Sequence, residues 1–197
     1  MSNDVIHRII EQQAVVHGSR PAIIDGAGDV TYRVLNGRAN SVARALLCAG
    51  LRRGGHALIN GGAGADLAVT LLAVLKTGAA YTWQPLEHAA DRGLEMAIRP
   101  QSDSAREEYL VVSLDIPQAE SLSGPNLPIL TRGSDAACVL SPFDDDRTLV
   151  SHASVAGLRG TDVSTAPAWR ADDAAWLLTA LMDGLTVRTS LRSIAAA

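Results

Sequence analysis

The stretch HALINGGAGADLAVTLLAVLKTGAAYTW, residues 56–83, decides the architecture. His56 to Asn60 reads as a β-strand, Gly61 to Gly64 as a turn, Ala65 to Thr77 as a strongly apolar helix closed by Gly78, and Ala80 to Trp83 as a second strand. Strand, helix and strand in that order make a βαβ unit, with parallel strands and the helix packed on the sheet.

Working upstream, residues 3–16 place Ile6, Ile9, Ile10 and Ala14 on one helical face, with Ser2 or Asn3 as the expected N-cap. Pro21 to Asp25 and Val30 to Tyr32, separated by Gly26, Ala27, Gly28 and Asp29, read as a hairpin. From Val34 to Ala49 the apolar residues Leu35, Ala39, Val42 and Leu46 recur at helical spacing, and Gly50 stands where a helix C-terminal glycine belongs.

Downstream, a helix is expected over 88–98 and a strand over Tyr109 to Ser113, which continues the alternation of strands and helices. Residues 115–134, with three prolines and two glycines, have the composition of a long surface loop leading into a strand at 136–141. Residues 154–159 allow one or two helical turns, 161–170 is loop-like, 172–182 is helical in composition, and TVRTSLRSI alternates like a strand. The expected fold is α/β, a mainly parallel sheet flanked by helices, in one domain over 1–197.

Composition narrows the function. A formal charge of −4 and a pI near 5.7, with 17 Lys plus Arg scattered rather than striped, argue against a nucleic-acid partner. Asp4, His7 and Arg8 interrupt any signal-peptide core, and the run LAVTLLAVL stops at Lys76, short of the roughly 20 residues that cross a bilayer. The expectation is a cytoplasmic protein with no membrane partner. Cys48 and Cys138 form no metal-binding or disulfide spacing and read as buried core thiols.

Three stretches, in order, resemble the amino-acid-activating adenylation domains of nonribosomal peptide synthetases, members of the adenylate-forming (AMP-binding) superfamily. TYRVLNGRANSVARALLCAG at 31–50 is similar to that family's T-Y-x-E-L-N-x-R-A-N-x-L-A segment, with Val34 in place of the acidic residue. LAVLKTGAAYTWQPL at 72–86 is similar to L-A-V-L-K-A-G-A-A-Y-V-P-L-D. With the opening helix, the resemblance covers residues 5–86, so that 1–114 reads as the well-matched α/β part, 115–135 as a loop and 136–197 as a degenerate part.

The family's next landmark is a strand running into a Ser/Thr/Gly-rich phosphate loop, then a short strand and a His. Ala136 to Leu140 resembles that strand and Leu149-Val-Ser-His152 the exit, but SPFDDDRT stands between them. A phosphate cradle needs glycines that turn successive N–H groups toward the anion, hydroxyls, and a lysine to offset charge. Pro142 has no N–H, and Asp144, Asp145 and Asp146 against Arg147 would oppose a triphosphate by roughly 1–4 kcal/mol per charge at surface-like dielectric. Ser141, Asp144, Asp145, Asp146, Arg147 and His152 therefore mark a degenerate phosphate-loop position, with no catalytic residue assigned and no cofactor expected.

Other readings of these residues are weaker. Adjacent carboxylates on an extended loop point in alternating directions, so no metal site is expected. Ser151, His152 and Asp145 lack the nucleophile elbow and oxyanion hole of a hydrolase. At Gly61 to Gly64 a dinucleotide fingerprint fails, because Leu67 occupies the third glycine position and Asp66 adds negative charge. Trp83, Trp169 and Trp176 read as core or interface anchors.

What the resemblance implies, in a chain of 197 residues, is a truncated pseudo-adenylation protein: non-catalytic, and an interaction or stabilising partner in nonribosomal peptide or related biosynthesis. The alternatives are an enzyme with a repurposed activity, one half of a split amino-acid-adenylating enzyme, or a decayed fragment. A homodimer or a complex with a biosynthetic enzyme is expected, with Trp176, Leu177 and Leu181 as interface candidates.

Overall fold

A computed structural model describes residues 4–26, 28–60, 64–84, 95–99, 110–113, 124–128, 131–140, 148–160 and 173–188. Helix α1 is Ile6–Val16, with Ile6, Ile9, Ile10 and Ala14 buried on one face. Its N-cap position is Val5, which supplies no side-chain cap, so the expected capping by Ser2 or Asn3 is replaced by a hydrophobic entry into the core. Strands β1 (Pro21–Asp25) and β2 (Gly28–Thr31) form the expected antiparallel hairpin. Helix α2 (Tyr32–Cys48) starts two residues earlier than its periodicity predicts, because Thr31 caps it by accepting a hydrogen bond from the Val34 N–H at 3.4 Å.

The 56–83 stretch folds as read. Strand β3 (His56–Asn60), helix α3 (Gly64–Thr77) and strand β4 (Ala80–Gln84) form a βαβ unit in which His56 to Asn60 pair in parallel with Ala80 to Gln84. Nearly all of α3 is buried, since it packs against α2, α1 and the strands β1 and β4. Gly78 closes it with φ +80°, and a side chain there would meet Arg53.

Residues 95–98, expected in a helix, are extended instead: β5 (Glu95–Arg99) pairs antiparallel along the whole of β3, from His56↔Arg99 to Asn60↔Glu95. The rest of the expected helix, 88–94, lies outside the described residues. Strand β6 (Leu110–Ser113) continues on β5, while β7 (Ala136–Leu140) pairs in parallel with β4, and β8 (Thr148–Ser151) pairs antiparallel with β7. The six-stranded order is β6-β5-β3-β4-β7-β8. The α/β class stands, but the parallel pairing is confined to the centre, β3-β4-β7, and the sheet is mixed. Its outer strands pair antiparallel, which crossover helices do not require.

The last elements are the short helix α4 (His152–Ala156), helix α5 (Asp173–Met182) and a two-residue strand β9 (Val187–Arg188). β9 adds in parallel to β1, giving a second sheet of order β2-β1-β9. One apolar cluster runs from Ile6 of α1 to Val187 of β9. Two polar bonds secure the α5 end: the buried Tyr32 hydroxyl donates to the Leu181 and Leu185 carbonyls at 3.1 and 2.7 Å. Among the described residues no helix is long and apolar enough to cross a membrane.

Candidate functional site

Because β3, β4 and β7 run in parallel, Asn60, Gln84 and Leu140 end at the same edge of the sheet. The carboxyl ends of strands are where α/β sheets receive ligands. Two connections leave that edge, one through 61–63 into α3 and one through 141–147 into β8. Ser141, Asp144, Asp145, Asp146 and Arg147 lie outside the described residues, as do Gly61, Gly62 and Ala63. Their flanks are well placed. Leu140 pairs with Thr148 and Ala136 with Ser151, so residues 141–147 join two neighbouring antiparallel strands.

The N-terminus of α3 already has an anion. The Asp25 carboxylate, arriving from β1, accepts a hydrogen bond from the Ala65 N–H at 3.0 Å, satisfying one of the orphan donors of the first turn. Gly64 has φ +55°, and a Cβ there would collide with that carboxylate. Asp66 in the same turn is held by Arg38 at 2.8 Å. Two carboxylates thus lie in the first turn of α3, where they meet the partial positive charge of the helix end.

His152 opens α4 and is fully buried. Its Nδ1 accepts a hydrogen bond from the Ile6 N–H at 3.4 Å, and its ring meets that of His7 edge to face at a centroid separation of 5.8 Å. Burial lowers its pKa to about 4, against the opposing pull of Asp135. His152 thus ties α4 to α1. The Ser151 hydroxyl caps α4 at the Ser154 N–H, 3.1 Å away, and the Ala153 N–H bonds the Gly133 carbonyl at 2.8 Å.

At the opposite end of the sheet lies a cleft of about 370 Å³ lined by Arg53, Gly54, Gly55, Gly78, Ala80, Asp135 and Ala136. Arg53 and Asp135 face each other across it at 2.8 Å. Partial burial works against the Asp135 anion, but the Arg132 N–H and the Arg53 guanidinium hold its carboxyl below the usual carboxylate range. The backbone N–H groups of Gly54, Gly55 and Ala80 are all spent on carbonyls. The cleft therefore offers a ligand one ion pair already closed on itself. No group of three or more His, Cys, Asp or Glu among the described residues could hold a metal ion.

Comparison with known proteins identifies the architecture. The AMP-binding enzyme family matches residues 10–102. Over 148 residues the chain is 32% identical to surfactin synthase subunit 2 of Bacillus subtilis (strain 168), a match that takes in 68% of this chain and 4% of that protein. It is 31% identical over 180 residues to the L-2-aminoadipate reductase large subunit of Eremothecium gossypii, covering 82% of this chain and 13% of that one. The N-terminal subdomain of Klebsiella oxytoca NpsA, solved in complex with anthranilyl-AMSN, superposes with a TM-score of 0.63 at 19% identity, over 95% of this chain and 54% of that one. Together the family match over residues 10–102 and these relatives support a truncated adenylate-forming domain. The chain corresponds to the N-terminal part of an adenylate-forming domain, and spans only a small fraction of the length of these curated relatives.

In this adenylate-forming frame the remaining expectations sort by burial. Leu177 is 5% and Leu181 0% exposed, both inside the chain's own core, so neither is an interface residue; Trp176, 40% exposed, is the candidate that faces outward. Cys138 is buried in β7 as read, whereas Cys48 is exposed at the last residue of α2, two positions beyond Leu46, the last buried residue of its stripe. Sequence reading missed Asp25 as the cap of α3, His7 as the partner of His152, and Lys76. Lys76 does not end a surface-bound run: its ammonium is buried and bonded to Glu11 of α1. Glu11, four residues after His7 and on the same helical face, was the available signal.

Proposed function

We propose that this adenylate-forming fold is a non-catalytic pseudo-adenylation protein, a cytoplasmic interaction or stabilising partner in nonribosomal peptide or related natural-product biosynthesis. The observation that carries this reading is the contrast at the β7–β8 connection. Its flanking strands pair antiparallel up to Leu140 and Thr148, while the connection itself holds Pro142 and three aspartates and has neither glycine nor lysine. Backbone donors in a glycine-built cradle and a lysine are what a triphosphate requires, and three carboxylates repel it. A homodimer or a complex with a biosynthetic enzyme accompanies the reading, with exposed Trp176 as its anchor.

A second reading, one half of a split adenylating enzyme, is favoured by the NpsA N-terminal subdomain, which was solved with anthranilyl-AMSN. Titration calorimetry with millimolar Mg·ATP, followed by pyrophosphate exchange with a panel of amino acids, separates the two. The non-catalytic reading expects no heat of binding and no exchange; a micromolar dissociation constant overturns it. Replacing Asp144 and Asp145 by Gly and Asp146 by Lys should make ATP binding measurable if the carboxylates are the main obstacle. Recovery of a biosynthetic enzyme with the wild-type chain, and its loss with Trp176→Ser, is the positive arm.

A further inference from the structure

Helix α1 and the β8–α4 corner are held together by two imidazoles with nowhere to put a second proton. His7 is 2% and His152 0% exposed, and their ring planes cross at 82°. The Ile6 N–H points at Nδ1 of His152, so that nitrogen is unprotonated and the ring proton sits on Nε2. The buried His152 Nε2 and His7 Nδ1 have no hydrogen-bond partner among the described residues. Two unsatisfied ring nitrogens in a dry contact are tolerable for neutral imidazoles and costly for charged ones.

The groups facing the pair from each neighbouring element reinforce this. From α3 comes the Lys76 ammonium, already committed to Glu11 of α1, with Arg44 of α2 adding positive potential nearby. From the turn before β7 comes Asp135, whose carboxylate favours a charged His152 but is bonded to Arg53. On the α5 side Asp183 is taken by Arg159, which follows α4, and Asp4 lies against Gly133.

We propose that His7 and His152 form an acid-released clasp: a neutral imidazole pair whose protonation turns the Ile6 N–H···Nδ1 bond into a donor-to-donor clash and frees α1 from the β8–α4 corner. The corner stands at the end of β8, whose first residue, Thr148, pairs with Leu140 of β7. Burial, with His152 and Lys76 as neighbouring positive centres, lowers the pKa of His7 from 6.5 to about 3, and burial lowers that of His152 to about 4. The unfolded chain takes up both protons near pH 6.5, while the folded chain refuses them until about 4 and 3. Stability is therefore complete above the unfolded value and falls as pH drops, with each histidine costing about tenfold in the folding constant per pH unit.

The test is denaturant unfolding of the whole chain between pH 7 and pH 5, with amide exchange read alongside. For the wild type, the two histidines together add a loss of about a hundredfold per pH unit below 6. His152→Asn keeps an acceptor for the Ile6 N–H and His7→Phe keeps a ring, yet neither titrates. Each should remove about tenfold per unit, and the double variant both contributions. Protection of the Ile6 amide should be lost at higher pH than that of Leu58 in β3. An unchanged slope in the double variant, or simultaneous loss of both amides, overturns the clasp. Should the variants fail to fold, imidazole proton resonances of the wild type decide: titration near pH 4 or below supports it, and titration near 6.5 refutes it.

Discussion

Glu11 and His7 sit one helical turn apart on the buried side of α1 and meet the core in opposite electrical states. Glu11 is paired with the Lys76 ammonium, with side chains 8% and 0% exposed, whereas His7 faces another imidazole and stays neutral. Burial pushes the Lys76 pKa down, and Glu11 pulls it back up by charge and hydrogen bond. That retained cation is in turn one reason His7 cannot charge. A buried ionisable group keeps its charge where an opposite charge meets it and surrenders it where none does. The two pairs are thus linked: burial is what chiefly keeps both imidazoles neutral, and the Lys76 cation adds to it at His7.

The harshest way to break the contrast is Glu11→Gln, which leaves the Lys76 ammonium buried without an anion. A loss of about 3–5 kcal/mol in denaturant unfolding at pH 7 is expected; a loss below 1 would mean that Lys76 escapes to water. Replacing both partners, Lys76→Met with Glu11→Leu, should leave stability within about 1 kcal/mol of wild type or raise it. In that double variant the cation beside His7 is gone, so the His7 pKa should rise, which imidazole NMR detects directly.

A second carboxylate contact comes from half-buried Asp25, which bonds a helix end rather than a cation. Asp25→Ala should cost about 1 kcal/mol, the usual value of a capping side chain, measured by thermal or chemical unfolding. The smallest effect belongs to the exposed pair. Arg53 and Asp135 are 45% and 25% exposed, and Arg53→Ala should change stability by no more than about 1 kcal/mol and less in high salt. A larger effect would show that the cleft they line depends on them.

What could be read from the residues followed local periodicity. Leu35, Ala39, Val42 and Leu46 announce α2, and the run from Ala65 to Thr77 between two short apolar strands announces the βαβ unit. The stretch at 95–99 was misread because its assignment to a strand depends on β3, some forty residues earlier, rather than on its own spacing. Leu177 and Leu181 read as interface candidates because a helix apolar all round does not say which side its own chain covers; here it is packed against α1, α3 and α4. The contacts that define the candidate sites were illegible for the same reason. Glu11 and Lys76 are 65 residues apart, Asp25 and Ala65 are 40 apart, and Ile6 and His152 are 146 apart. At residues 141–147 the absence of glycine and lysine is a matter of residue type, visible without coordinates.

The meeting of Gly64 and Asp25 has a consequence for anyone altering this chain. The carboxylate fills the space in which any side chain at 64 would begin, and the backbone there has a left-handed conformation. Positions 25 and 64 therefore behave as a single locus under substitution. A library that randomises 64 alone should return only glycine, and one that shortens 25 as well should admit asparagine, the residue that best tolerates that backbone. In a set of homologous chains the same coupling would surface as paired exchange between a hairpin strand and a helix start, linking the small sheet to the large one.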